Sequence, residues 1–352
     1  MTPRERILAV LDYSPTDRVP FDIWYTREVR DQLMTYFGVS DEIAVWDALE
    51  LDKIVMVDAP YTQVSNPVYD ERDRLLTFDE WKSGRRTVRH SYGGDYEEVV
   101  FFPLASARSK NEIEGYLWPD PTLFDYSELK NSCVKYARWT RMLTFVSLFE
   151  IYCKLRPFEQ ALMDLYIEPE LADAIIRKIF EIQRQYIEQA LRTCNGAIDV
   201  VYLSDDMGMQ DRLLISEEVW EARFLEPYRD LIKLIHAHKA RAFYHSDGAA
   251  FPILKRMIDL GIDIINPIQH TCPHMDRKHL IEAFSDRVVF HGAVENQRIL
   301  PFGTTNQVRT EVRKNIDVLG TYGRYICAPC HNLQSGTPLE NILSMYRCDR
   351  SW

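Results

Sequence analysis

Ala242-Phe-Tyr-His-Ser-Asp247 is a short apolar and aromatic run that ends abruptly in groups able to do chemistry. Too brief for a helix and apolar at consecutive positions, it reads as a strand buried on both faces of a parallel sheet. Working outward, the same unit recurs at Asp199–Leu203, Ile262–Ile265, Val288–Phe290 and Tyr325–Ala328. The stretches between these runs have helical period. Glu170–Thr193 sets Leu171, Ile175, Ile179, Ile182 and Tyr186 on one face and stops at Asn195-Gly196. Ser216 stands before Glu217 and Glu218, an N-cap followed by charge that suits the helix dipole. After Thr304-Thr305, Val308, Val312, Ile316 and Leu319 form another stripe, closed by Gly320. Strand and helix in alternation predict parallel strands joined by right-handed crossovers.

The first half adds Val19–Ile23, Ile54–Val57 and Thr144–Phe149, which brings the strands to eight. The expected fold is therefore α/β, a (β/α)8 barrel, formed as a single domain over residues 1–352. Ala59 to Asp125 breaks the rhythm. There Thr87–Ser91 and Glu97–Phe101 flank Tyr92-Gly-Gly-Asp95, a β-hairpin signal, so this stretch reads as a β insertion over one end of the barrel.

Composition limits the function classes. With 352 residues, 46% of them hydrophobic and 27% charged, the chain can bury a large core. A formal net charge of −11 argues against nucleic acid or an anionic membrane as partner. No apolar stretch is long enough for a membrane span, and the N-terminus lacks the pattern of a signal peptide. Seven scattered cysteines imply no disulfide framework, so the expected compartment is the reducing cytoplasm. Walker, dinucleotide-binding, Gly-x-Ser-x-Gly, His-Glu-x-x-His and kinase signatures are missing.

Barrels of this kind carry their chemistry at the C-terminal ends of the strands. Here those ends are rich in polar groups. Glu150 and Tyr152 follow the third strand, Asp205 and Asp206 the fourth, and His245 and Asp247 the fifth. Asn266 and Gln269 follow the sixth, Glu295 and Gln297 the seventh, and Cys330, His331 and Asn332 the eighth. The candidate catalytic carboxylates are Asp205, Glu150 and Glu295, and the candidate substrate contacts are Tyr152, Asn266, Gln269 and Asn332. Adjacent carboxylates on a strand end point to opposite faces, so only one of Asp205 and Asp206 turns inward.

His245-Ser-Asp247 can offer an imidazole and a carboxylate to a metal, and either Cys330 or His331 can complete the set. Alternatively, Asp247 caps a helix beginning near Gly248 while His245 bonds a backbone carbonyl. Cys327-Ala-Pro-Cys330 has the spacing of a redox pair but no thioredoxin-like context. His270-Thr-Cys-Pro-His274 holds three potential ligands in five residues. Pro273 there reads as a helix start, which favours a solvated loop.

Further stretches carry a family resemblance. Thr2-Pro-Arg-Glu-Arg-Ile-Leu-Ala-Val10, Thr16-Asp-Arg-Val-Pro-Phe-Asp22, Leu260-Gly-Ile-Asp-Ile-Ile-Asn-Pro267, His291-Gly292 and Leu300-Pro-Phe-Gly303 belong to it. So do Ala328-Pro-Cys-His-Asn-Leu-Gln334 and Thr337-Pro-Leu-Glu-Asn-Ile342. The chain resembles the uroporphyrinogen-decarboxylase-like superfamily from end to end, which also implies a (β/α)8 barrel.

The superfamily has two chemistries. True uroporphyrinogen decarboxylases need no cofactor and bind their tetrapyrrole through an Arg-Gln-Ala-Gly-Arg segment near the N-terminus. Here that place holds Phe21-Asp-Ile-Trp-Tyr-Thr-Arg-Glu28, with Arg27 alone, although His331 matches a histidine of that branch. The other branch comprises zinc methyltransferases that work with a corrinoid protein. In the coenzyme M type, zinc is held by a His-x-Cys pair after strand five and a Cys after strand eight. His245 matches the first ligand, Asp247 replaces the second, and His331 aligns with the third, with Cys330 one place earlier. A set with fewer thiolates is harder and suits an oxygen or amine donor better than a thiol. The resemblance thus implies a zinc-dependent methyltransferase moving methyl from an ether, amine or similar small donor. No Asp-x-His-x-x-Gly motif is present, so the corrinoid would sit on a separate partner protein. A decarboxylase of a tetrapyrrole or other carboxylated substrate is the first alternative, and a barrel that binds a small molecule without turnover the second.

Overall fold

A computed structural model describes residues 1–70, 74–89 and 95–352. Its main sheet has seven parallel strands: β1 (Ile54–Val57), β6 (Thr140–Val146), β7 (Val200–Ser204), β8 (Arg241–His245), β9 (Ile264–Asn266), β10 (Val289–Val294) and β11 (Tyr325–Pro329), adjacent in that order. A second sheet, an antiparallel meander of β2 (Val68–Tyr69), β3 (Leu75–Phe78), β4 (Gly84–Arg89) and β5 (Asp95–Phe101), is the β insertion. The glycine turn expected at Tyr92-Gly-Gly lies outside the described residues.

The apolar runs become strands because both their faces are covered. One cluster takes Ile54, Met142, Val200, Tyr202, Phe243, Ile264, Val289 and Ile326, so every strand of the main sheet contributes to it and the sheet wraps around it. The helix Pro3–Leu11, fixed by a Thr2/Glu5 capping box, adds Ile7, Val10 and Leu11 to the same cluster. On the outer face the helix Pro169–Cys194 buries the stripe read from the sequence, Ile175 and Ile179 included, and the helix Glu217–Ala237 buries Trp220 and Phe224. Asn195 ends the first in a left-handed conformation, and Ser216 caps the second by accepting from the Val219 amide. Thr304 and Gln307 form a second capping box ahead of the helix Thr305–Leu319.

The expected strand Val19–Ile23 differs in kind. Its segment pairs with β11 through Asp22 N to Cys327 O (2.9 Å) and Cys327 N to Pro20 O (2.9 Å), and touches the other edge through Asp52 N to Phe21 O (2.8 Å). On that edge side chains replace a ladder. Asp52 Oδ2 accepts from the Phe21 amide at 2.9 Å, and Asp22 Oδ1 from the Ile54 amide at 3.1 Å. Pro20 has no amide hydrogen to give, and the two oxygens of a carboxylate can take more donors than one carbonyl. The third strand is also displaced: β6 starts at Thr140, and Phe149 opens a helix, Phe149–Leu155.

Among the described residues no helix is long and apolar enough to cross a membrane.

Candidate metal centre

His245 is the last residue of β8, Asp247 follows two residues on, and His331 lies just past β11, with two strands between β8 and β11. The curvature of the sheet nevertheless brings the two imidazole rings to 6.1 Å between centroids. One ligand atom from each of His245, Asp247 and His331 lies within 4.8 Å of the others, the only such trio of metal-binding residue types among the described residues. The His245 ring is packed beside Trp24 and Tyr202 (6.0 and 5.7 Å between centroids). Its Nδ1 meets Asn266 Oδ1 at 2.5 Å, and its Nε2 stands 3.6 Å from Asp206 Oδ1. Behind Asn266 the polar contacts continue inward, from its Nδ2 to His291 Nδ1 (2.8 Å) and from His291 Nε2 to Asp22 Oδ2 (3.0 Å).

Of the adjacent pair, Asp206 is the residue beside His245; it also accepts from the Asp247 amide at 2.9 Å. Asp205 turns the other way and is fully buried. It accepts from Ser147 Oγ (2.6 Å), from the amides of Phe149 and Glu150 (both 2.9 Å) and from the Tyr228 hydroxyl. A carboxylate so saturated is a cap for the helix Phe149–Leu155, and it sets the position of Glu150. Glu150 accepts from Ser204 Oγ at 3.0 Å. Burial, with Asp205 and Asp206 adding repulsion, pushes its carboxyl up to about 7. Burial likewise pushes Asp247 above the usual carboxylate range, with Asp206 adding to the effect and His245 and His331 opposing it. Such a site favours a cation.

The remaining candidates sort by their contacts. Cys330 is buried, its thiol donating to Ile268 O at 3.4 Å, and burial raises its pKa well above normal. It lines a cavity of about 270 Å³ with Asp247, His331, Gln210, Gln269 and Gln297. Gln269 ties the Asp247 loop down, accepting from the Gly248 amide at 2.9 Å and donating to Gln210 Oε1 at 3.2 Å. Glu295 accepts from the amides of Gln297 (2.6 Å) and Ile299 (2.7 Å), which makes it the cap of the turn after β10. Tyr152 is fully buried and donates to Ala161 O at 3.1 Å. Asn332 is partly exposed beside His331.

Asp247 does not cap the next helix, which begins at Phe251 after Ala250. Cys327 is wholly buried in β11. The His270–His274 stretch does not converge on one point. His270 pairs with Glu311 at 2.7 Å, Cys272 faces Gln210 at 3.8 Å, and the His274 ring lies tilted beside Phe251. Nor does Pro273 start a helix: Asp276 caps one beginning at Arg277.

Two glycines set the approach of the loops. Gly248 has φ +81° and lies against Gly208; a Cβ on Gly208 would fall inside contact distance of the Asp247 carbonyl and 2.7 Å from the Ala249 amide nitrogen. The same crossing is tied by Ala249 N to Met209 O (2.7 Å) and Met207 N to Ser246 Oγ (3.0 Å). Gly208→Ala is expected to cost about 3 kcal/mol of stability or more, since backbone rather than a flexible side chain blocks the methyl. Urea unfolding measures it, and a loss under about 1 kcal/mol would show that the loops can part.

Sequence reading places Asp205 and not Asp206 among the catalytic carboxylates, whereas it is Asp206 that stands beside His245, and it takes His291 and Asp22 only as parts of similar stretches. A signal for His291 was present: a histidine inside an apolar run, where a buried imidazole needs partners.

The uroporphyrinogen decarboxylase (URO-D) family model matches residues 146–352, more than half of the chain. The chain belongs to this family. The matched span carries His245, Asp247, Cys330 and His331, whereas Asp22 lies outside it. This URO-D member is similar along its length to a methyltransferase from Methanosarcina mazei, with a TM-score of 0.70 and 17% identity over 98% of this chain and 97% of that one. At that identity the likeness is one of fold. Dihydropteroate synthase from Anaplasma phagocytophilum is more distant, with a TM-score of 0.32 and 18% identity over 48% of this chain and 65% of that one. A GH113 β-1,4-mannanase has a TM-score of 0.40 and 12% identity over 94% and 99%. Neither of these two likenesses is close enough to bear on function. No curated protein matches the chain.

Proposed function

We propose that this URO-D-family protein is a zinc-dependent methyltransferase that passes a methyl group from a small ether- or amine-type donor to a corrinoid on a separate protein. The reading includes a closed (β/α)8 barrel, with residues 19–23 as the eighth stave between β11 and β1. The observation that carries it is the convergence of His245, Asp247 and His331 on one point. Two nitrogens and one carboxylate are the ligand types of a catalytic zinc with a position left open, and the raised Asp247 carboxyl is the environment a cation relieves. Bound there, zinc would polarise the donor's heteroatom as a Lewis acid.

The chain's own groups supply the rest. Glu150, titrating near 7, holds a proton for the heteroatom that the methyl leaves behind. Asp205 keeps Glu150 in place, Gln269 holds the Asp247 loop, and Asn266 orients the His245 ring. Asp206 faces His245 and can accept a hydrogen bond from a protonated donor. That the Methanosarcina protein of similar fold is a methyltransferase favours methyl transfer over decarboxylation. Against a tetrapyrrole decarboxylase stands Arg27, whose side chain is 82% exposed and pairs with Asp31. Eight substrate carboxylates call for several converging cations.

Metal analysis of untagged protein is the test. Near-stoichiometric zinc is expected, and protein that neither retains nor takes up zinc at micromolar concentration would end the proposal.

A further inference from the structure

We infer that His291 and Asp22, which do not touch the His245–Asp247–His331 group, are positioning residues that decide which ring nitrogen of His245 faces it. Their purpose rests on the metal-centre reading; their geometry does not. The four side chains come from four places in the fold: the 19–23 segment, β10, β9 and the end of β8. Asp22, His291 and Asn266 are fully buried and His245 is 4% exposed, so the protein alone must satisfy their polar atoms.

With a neutral His291 the contacts admit one hydrogen arrangement. Asp22 accepts at Oδ1 from Ile23 N (2.8 Å), Ile54 N (3.1 Å) and Lys53 Nζ (3.2 Å), and at Oδ2 from Trp24 Nε1 (3.0 Å). Burial alone would raise its pKa, but Lys53, His291 and the Ile54 amide hold it at about 2, so it only accepts. His291 Nε2 therefore donates to it, and a neutral imidazole then has only a lone pair on Nδ1. Asn266 Nδ2 fills that lone pair at 2.8 Å, with the His291 carbonyl, 3.4 Å from the same nitrogen, a longer second acceptor on that side. Gly292 leaves room for this amide: a Cβ there would stand 3.3 Å from Nδ2. Asn266 thus presents its oxygen to His245. His245 carries its hydrogen on Nδ1, and its Nε2 lone pair is free toward Asp206 and the candidate metal position.

The experiment reads the tautomer without any metal, from two-bond proton–nitrogen correlations of protein labelled with 15N-histidine. Unaltered apo protein should show His245 as the Nδ1–H form; the Nε2–H form would overturn the inference without recourse to a variant. His291→Phe removes the close acceptor at 2.8 Å and leaves Asn266 only the distant main-chain carbonyl of residue 291, so His245 should shift toward Nε2–H. Zinc affinity by chelator competition should fall about 10- to 100-fold. In His291→Gln an amide can both accept from Asn266 and donate to Asp22, which should restore the tautomer and bring affinity to within about threefold of the parent. An unchanged tautomer in His291→Phe, or an equal loss in both variants, would reduce the chain of contacts to packing. A protein that binds no zinc yet shows these shifts would retire the metal reading and leave this one standing.

Discussion

His245→Ala is expected to lower zinc affinity by roughly a thousandfold, about 4 kcal/mol, and to carry methyl transfer down with it. Two ligands, Asp247 and His331, would remain of the three whose donor atoms converge. Alanine also removes the ring packed against Trp24 and Tyr202, a loss of about 2–3 kcal/mol in fold stability of its own. His245→Gln separates the effects, since it keeps volume and a polar end but lacks an imidazole nitrogen. It should fold with near-parental stability and still bind zinc poorly. Cys330→Ser supplies the contrast. Its thiol bonds the Ile268 carbonyl and lies outside the converging trio, so zinc content should persist. Chelator competition and metal analysis on all three variants decide the matter. Full zinc in His245→Gln with loss in Cys330→Ser would move the centre to the thiol.

Glu150→Gln should produce the second large effect, one that reverses sign between activity and stability. The carboxyl sits near 7 in the fold because of burial and the charges of Asp205 and Asp206, partly offset by Lys154 and Ser204, whereas an ordinary glutamate titrates near 4.5. Between those values the folded protein keeps a proton that the unfolded chain has released, so stability falls as pH rises through that window. Below it the group makes no difference, and above about 7 the whole cost is felt, about 3 kcal/mol. The glutamine variant should match the parent at pH 4.5 and exceed it by about that amount at pH 8. Methyl transfer should drop by roughly 10²- to 10⁴-fold and lose the limb of the pH profile centred near 7. Urea unfolding at the two pH values and an activity profile measure both arms. A parental stability that is flat from pH 4.5 to 8 would show that Glu150 ionises normally.

Much of this architecture could be read ahead of the structure because strands buried on both faces leave a plain mark. Ile54–Val57 coincides with β1, and the runs leading to His245 and Pro329 lie within a residue or two of β8 and β11. The harder cases turn on contacts distant in sequence. Phe149 starts a helix rather than ending a strand because Asp205, far along the chain, caps it. Val19–Ile23 reads as a strand by pattern, but Asp22 and Asp52 replace ladder bonds with side-chain bonds, which no periodicity records.

The candidate site shows the same division. The pleat required that only one of Asp205 and Asp206 face inward; which one depends on where Ser147 and Tyr228 lie. His245, Asp247 and His331 were named because they end strands, whereas Glu295 and Tyr152 share that property and spend their polar atoms on backbone. Position along a strand says where a side chain begins, not what it meets.

The pairing of β11 with residues 20–22 has a further consequence. It joins segments far apart in sequence, and the candidate site leans on that closure: Asp22, behind His245, on one side and His331 just beyond the other. Contacts so remote in sequence form late, after their loop-closure entropy has been overcome. The three candidate ligands all come from the second half of the chain, whereas Asp22, which braces them, comes from the first. On the proposed metal reading, the braced site exists only once these two segments have met. The affinity of the finished pocket, and not the order of synthesis, would then select which ion it holds.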